Sequence, residues 1–159
     1  MQFIADSIQQ AVEEVFSTML NMDVKVLETH EGANVPLAES VGVVGSVGMA
    51  GKINGTVYMS YSDKLACKLV EDMIGEAPGG VDQPEVTDVI GELANMVAGG
   101  MKRRTSEKGY NGLLVPPIVM VGRGIRVDPN DAPIAVFRSF SLPNTDEHLT
   151  VRFFAKLEV

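Results

Sequence analysis

Asp88, Glu92, Asn95 and Gly99 recur at steps of four, three and four along one stretch of the chain. On a helix that spacing puts all of them on one stripe. The residue types have distinct chemistry: a carboxylate can pair with a cation, and a carboxamide can both donate to and accept from a water molecule. Asn is a poor choice for a helix interior, because its side chain competes for backbone hydrogen bonds. The stripe is short of the long cations usual on a solvated face, and Gly91, Gly99 and Gly100 flank it and leave backbone accessible. An ordinary solvated helix face is the alternative meaning of the same residues.

Other chemistry is less well framed. His30 and His148 are far apart and fit no local metal-ligand pattern. No nucleophile-elbow motif surrounds a serine, so a hydrolytic triad lacks support. Gly42, Gly45 and Gly48 are evenly spaced but match neither a dinucleotide fingerprint nor a P-loop, and read as packing positions. Cys67, the one cysteine, has no histidine beside it and reads as a structural thiol. Lys102, Arg103 and Arg104 could meet a phosphate, but cations also suit a helix C-terminal end.

The elements that must position the stripe follow from periodicity. Val86, Val89, Ile90, Leu93, Met96, Val97 and Met101 form the apolar face of its helix, which opens at Asp82-Gln83-Pro84-Glu85 and runs to about Lys108. Gly99-Gly100 inside it predicts a bend or a close contact. Residues 2–20 form an amphipathic first helix, with Phe3, Ile4, Ile8, Ala11, Val12, Val15, Phe16 and Met19 at helical spacing. A short strand around Val24 and Val26 precedes a loop over residues 30–37.

Residues 40–50 read as a strand with Val41, Val43, Val47 and Met49 on one face. Its other face, with Gly42, Val44, Ser46, Gly48 and Ala50, is mostly small and would let another layer approach closely. A turn over 51–55 leads into a second hairpin strand over 56–61. Ser62 and Asp63 cap a helix striped by Leu65, Leu69, Val70, Met73 and Ile74, which ends at the glycines of 75–80. Strands follow at 113–122, whose first half is an edge strand or an irregular entry because it holds Pro116-Pro117, and at 134–142 and 149–157, with a turn at 143–146. Grouped strands and helices make an α+β fold with an antiparallel-rich sheet, and residues 1–159 form one domain. There is no linker, low-complexity tract or solenoid period.

Composition bounds the partners. The chain has 45% apolar and 21% charged residues, which excludes a disordered chain. Lys plus Arg number 13 against 21 Asp plus Glu, a net charge of −8, which argues against general binding to nucleic acid or to an anionic membrane. No apolar run approaches membrane-spanning length, and no basic region precedes an apolar stretch at the N-terminus. A single cysteine excludes an internal disulfide and fits a cytoplasmic location.

Asp88-x-x-x-Glu92-x-x-Asn95 followed by Pro117 resembles the signature of the CheC/CheX/FliY chemotaxis phosphatases. The run Ile90-Gly91-Glu92-Leu93-Ala94-Asn95-Met96-Val97-Ala98-Gly99 is especially similar to CheX, and Val115-Pro116-Pro117, Val121-Gly122-Arg123 and the Gly-rich hairpin extend the likeness over nearly the whole chain. The first helix carries no second copy, since Phe16 and Ser17, not Asn, follow three residues after Glu13 and Glu14. That single motif is again similar to CheX.

The resemblance implies one CheC/CheX-like domain, an extended sheet with helices packed on it, and a homodimer whose strands pair across subunits. It implies hydrolysis of the aspartyl phosphate of a CheY-like receiver domain. Asn95 would orient the attacking water and Glu92 would pair with the receiver lysine. Asp88 would be a peripheral partner contact or helix support, Gly99 would be a partner contact, and Pro117 would shape the sheet entry beside the helix. The chain would bind no cofactor or metal of its own, with Mg²⁺ held by the receiver. The competing expectations are a non-catalytic module that docks a receiver or a flagellar-switch protein, and a structural dimer with a vestigial motif.

Overall fold

α1 (Gln2–Leu20) spans the residues its apolar spacing predicts, and it buries Ile4, Ile8, Ala11, Val12, Val15 and Phe16. The computed structural model describes residues 2–36, 39–129 and 131–158. Asn21 turns the chain with φ 52°, and Met22 and Val24 drop into the core ahead of β1 (Lys25–Glu31). This strand is longer than predicted. His30 pairs with Phe137 across the sheet, and a single 3-10 turn, Gly32–Asn34, replaces much of the expected loop. The expected loop end at Leu37 lies outside the described residues, as does the side chain of Val41.

β2 (Glu39–Gly51) and β3 (Ile53–Tyr61) form the hairpin. Asn54 braces the turn from within β3: the Gly51 N–H donates to its Oδ1 at 3.0 Å, and its Nδ2 donates to the Gly51 carbonyl at 2.9 Å. The turn is therefore tighter than the expected 51–55. α2 (Asp63–Ile74) starts at Ser62, whose Oγ accepts from the Leu65 N–H at 3.1 Å, and ends at Gly75 with φ 86°.

α3 (Pro84–Ser106) places proline in its first turn, where the missing N–H costs no hydrogen bond. Gln83 rather than Asp82 occupies its N-cap, and Gln83 makes no side-chain cap. β4 (Gly112–Leu114), β5 (Ile118–Arg126), β6 (Ile134–Ser141) and β7 (His148–Leu157) complete the order. Pro116 and Pro117 split the expected strand at 113–122 into β4 and β5.

The strands form one sheet in the order β1-β6-β7-β3-β2-β4, with β5 also pairing with β2. Every pairing is antiparallel. α1 and α3 lie side by side over one face, and α3 crosses β2. The close approach there comes from Gly45: a Cβ added to it would lie 3.0 Å from Ile90 Cγ2 and 3.3 Å from Ala94 Cβ. Gly45 shares a face with Val43, Val47 and Met49. The helix thus seats on the apolar face of β2, and on the small-residue face a Cβ added to Gly48 would lie 3.3 Å from Val115 Cγ2, so another segment approaches closely there.

A second, smaller apolar cluster of Val35, Val127, Ala135, Phe137 and Phe154 forms apart from the main core. Arg152 stacks 4.8 Å over the Phe137 ring there and donates through Nε to the Pro36 carbonyl at 3.2 Å. Among the described residues no helix is long and apolar enough to cross a membrane.

Candidate functional site

The rotation of α3 is set by what it buries. Val86, Val89, Ile90, Leu93, Ala94, Val97 and Met101 all face the core. Each large aliphatic side chain among them contributes roughly 1.5–3 kcal/mol when fully buried, so turning the helix would be costly. At 100° per residue, Asp88, Glu92 and Asn95 then stand opposite that stripe, and all three are exposed. None of their side chains makes a hydrogen bond or ion pair with another described residue. Their neighbour Thr87 differs, its hydroxyl donating to the Pro84 carbonyl at 2.9 Å.

Pro117 and Val119 close one flank of this ridge. A Cβ added to Gly91 would lie 3.5 Å from Val119 Cγ2 and 3.8 Å from Pro117 Cγ. Pro117 thus packs beside α3 one residue from Glu92, as the extended motif implies. α1 closes the other flank, where a Cβ on Gly100 would meet Ala11 Cβ at 3.2 Å. The glycine pair produces a close contact at Gly100 alone. Gly91 is buried, Gly100 is packed, and only Gly99 leaves backbone open.

The basic helix end is committed within the chain. Arg103 pairs with Glu14 of α1 at 3.0 Å, and Arg104 reaches the same carboxylate while donating to the Gly100 carbonyl at 3.1 Å. The Arg104 hydrogen bond leads in holding the Glu14 carboxyl below its ordinary range, with the charge of Arg103 adding to it. No local signal could have shown this pairing, because Glu14 and Arg103 are 89 residues apart. Cys67 is half-buried, and burial followed by the Asp63 carboxylate pushes its thiol up, away from nucleophile chemistry. His30 sits beside Glu28 at 3.5 Å, and His148 begins β7. Among the described residues no cluster of three or more His, Cys, Asp or Glu could hold a metal ion.

One exposed apolar run borders the site. Leu113 is 74% exposed and Ile118 60%, with Val115 and Val121 also exposed. Ile118 and Val121 lie in β5, which forms a sheet edge. Pro116-Pro117 fits an edge strand or an irregular entry, but neither reading shows how much apolar surface stays open.

The ridge can do two things. Glu92 can pair with a cation on an approaching molecule, and Asn95 can hold a water beside it. Neither is a strong nucleophile, so such a surface suits a partner that brings its own activated group.

Known proteins share this fold. A family model described as chemotaxis phosphatase CheX matches residues 43–139. The chain is similar to a CheY-P phosphatase CheX of Thermotoga maritima, 27% identical over 153 residues that cover 94% of this chain and 96% of that one. Its fold is similar to a CheC-like superfamily protein from Shewanella sp. PV-4, with TM-score 0.85, 28% identity and 97% of each chain covered. It is also similar in fold to a chain of the CheX-CheY-BeF₃-Mg²⁺ complex from Borrelia burgdorferi, with TM-score 0.75, 22% identity, and 95% and 96% of the two chains covered.

Proposed function

This chain belongs to the CheX chemotaxis phosphatase family, and from that premise we propose that it hydrolyses the aspartyl phosphate of a CheY-like receiver domain. The observation that carries the reading is the α3 ridge, where Glu92 and Asn95 stand exposed without an internal partner while the opposite side of the helix is locked in the core. The Thermotoga maritima relative is a CheY-P phosphatase, and the Borrelia burgdorferi complex joins CheX to CheY with BeF₃ and Mg²⁺.

The chemistry asked of the ridge is modest. An acyl phosphate is already activated, and the receiver brings Mg²⁺ and a lysine to offset phosphoryl charge. What remains is to place a water in line with the bond that breaks. Asn95 does this with a neutral amide, which binds water without setting a second negative charge beside the phosphate. Glu92 pairs with the receiver lysine and fixes the docking register. Asp88, one turn earlier on the ridge, is a peripheral partner contact.

The two sheet edges support a homodimer built at β5. β1 is guarded by a bulge between Val26 and Glu28 and by Lys25, Glu28, His30 and Glu31. β5 begins Ile118-Val119-Met120-Val121 with no charge among them and an open apolar flank. Such an edge is a template for pairing with a second strand. Light scattering at micromolar concentration is expected to give twice the 17.0 kDa chain mass. A stable monomer at every concentration would remove this part of the reading.

Phosphate release from phosphorylated receiver, with and without the protein, tests the activity itself. Accelerated release that stops when Mg²⁺ is chelated is expected. Tight receiver binding without acceleration would favour the non-catalytic docking module. Glu92→Ala is expected to lower receiver affinity and turnover together while circular dichroism stays unchanged, because the receiver lysine loses its contact.

A further inference from the structure

α3 has three glycines next to its ridge, and only two have a reason inside the chain. Gly91 makes room for Val119 and Pro117, and Gly100 makes room for Ala11. A Cβ on Gly99 would meet no atom within 4 Å. Gly99 lies well inside the helix, where glycine is less favourable than alanine, and no packing contact offsets that disadvantage.

Its position supplies the missing reason. Gly99 follows Asn95 by one turn on the same side of α3. Helical side chains lean toward the N-terminus and cover the turn that precedes their own Cα. Any side chain at 99 would therefore lean over the Asn95 carboxamide. Gly99 also lines an open groove of about 250 Å³ between α1 and α3, together with Ala11, Met96, Gly100, Glu14 and Arg103. The surface at Gly99 is thus open on the side of α1 as well.

We propose that Gly99 is a positioning residue: the side chain it lacks keeps clear the volume above Asn95 that the receiver's acyl phosphate and the attacking water must occupy. This rests on the proposed function and goes beyond it, since it assigns a task to a residue with no reactive group. Because the clearing serves a bulky partner, side-chain size at 99 sets how closely the phosphoryl group can approach.

The experiment is a size series, Gly99→Ala, Gly99→Gln and Gly99→Leu. It reads melting temperature, kcat and KM on phosphorylated receiver, and affinity for receiver loaded with beryllofluoride. Melting temperatures are expected to hold or rise, since the helix gains propensity and meets no clash. Over the same series kcat/KM is expected to fall with size, modestly for alanine and by about 10-fold to 10²-fold for leucine, the scale of a misplaced reacting group. Beryllofluoride-receiver affinity is expected to weaken in the same order.

Wild-type kcat/KM and affinity in a folded Gly99→Leu would overturn the inference. So would an activity loss that merely tracks a falling melting temperature, which would make Gly99 structural. Should leucine fail to fold, the alanine and glutamine variants decide by the same two criteria. A wild-type protein that neither binds nor hydrolyses the phosphorylated receiver would instead overturn the proposed function, and this inference with it.

Discussion

α1 and α3 are neighbours on the same sheet face, both long and amphipathic, yet of the two only α3 presents a glutamate followed three residues later by an asparagine. Three residues after Glu13 comes Phe16, which is fully buried. Three residues after Glu14 comes Ser17, and Glu14 itself is held by Arg103 and Arg104. α3 places Glu92 and Asn95 at the same spacing with both side chains exposed and uncommitted. Polar exposure alone therefore does not mark a site. The mark is a glutamate followed three residues later by an asparagine, both left free by the rest of the chain and aimed by a buried stripe on the opposite side of the helix.

The largest effect should come from erasing that pair. Glu92→Ala combined with Asn95→Ala is expected to lower turnover on phosphorylated receiver by about 10²–10³-fold, the scale for losing positioned transition-state groups. Glu13→Ala on α1 should leave turnover at the wild-type level. Equal losses from the two helices, measured by phosphate release, would dissolve the distinction between them.

Disturbing the seat of α3 comes next. Gly45→Val pushes a side chain into Ile90 and Ala94, where even a Cβ has only 3.0–3.3 Å. Overpacking of this kind costs about 1–3 kcal/mol. Urea unfolding is expected to show that loss, and an unchanged midpoint would mean that the sheet and α3 can separate freely.

The smallest effect belongs to the clamp between the helices. Glu14 is partly exposed, so Glu14→Gln is expected to lower the melting temperature by about 2 °C or less at neutral pH. Its carboxyl is held below the ordinary range, chiefly by the Arg104 hydrogen bond. The stabilisation is therefore present above the unfolded-state pKa and lost as pH falls through the lower folded-state value. Melting curves should show the variant and the wild type converging in acid. A difference that grew in acid would contradict the sign of this shift.

Much of the frame was legible because helical periodicity is local. The bounds of α1, the Ser62 cap and the buried stripe of α3 all follow from residues within a few turns of each other, and so does the exposure of Glu92 and Asn95. What depends on distant partners was not legible. His30 joins β1 because Phe137 lies across from it. Arg138 is buried in β6 because Glu31 accepts from its Nη2 at 2.8 Å, and Arg152 because Phe137 and Pro36 receive it. Small residues on one face of β2 signal close approach without naming what approaches, and beside Gly48 it is Val115. Gly99 and Gly100 look alike in sequence, and only the path of α1 separates them.

Saturation kinetics of Asn95→Ala on phosphorylated receiver decide whether Asn95 positions the attacking water. With the Glu92 contact intact, kcat is expected to fall by about 10²-fold or more while KM stays within about twofold and circular dichroism is unchanged. A folded Asn95→Ala protein that retains full turnover would contradict the account, because the water would then be placed by some other group.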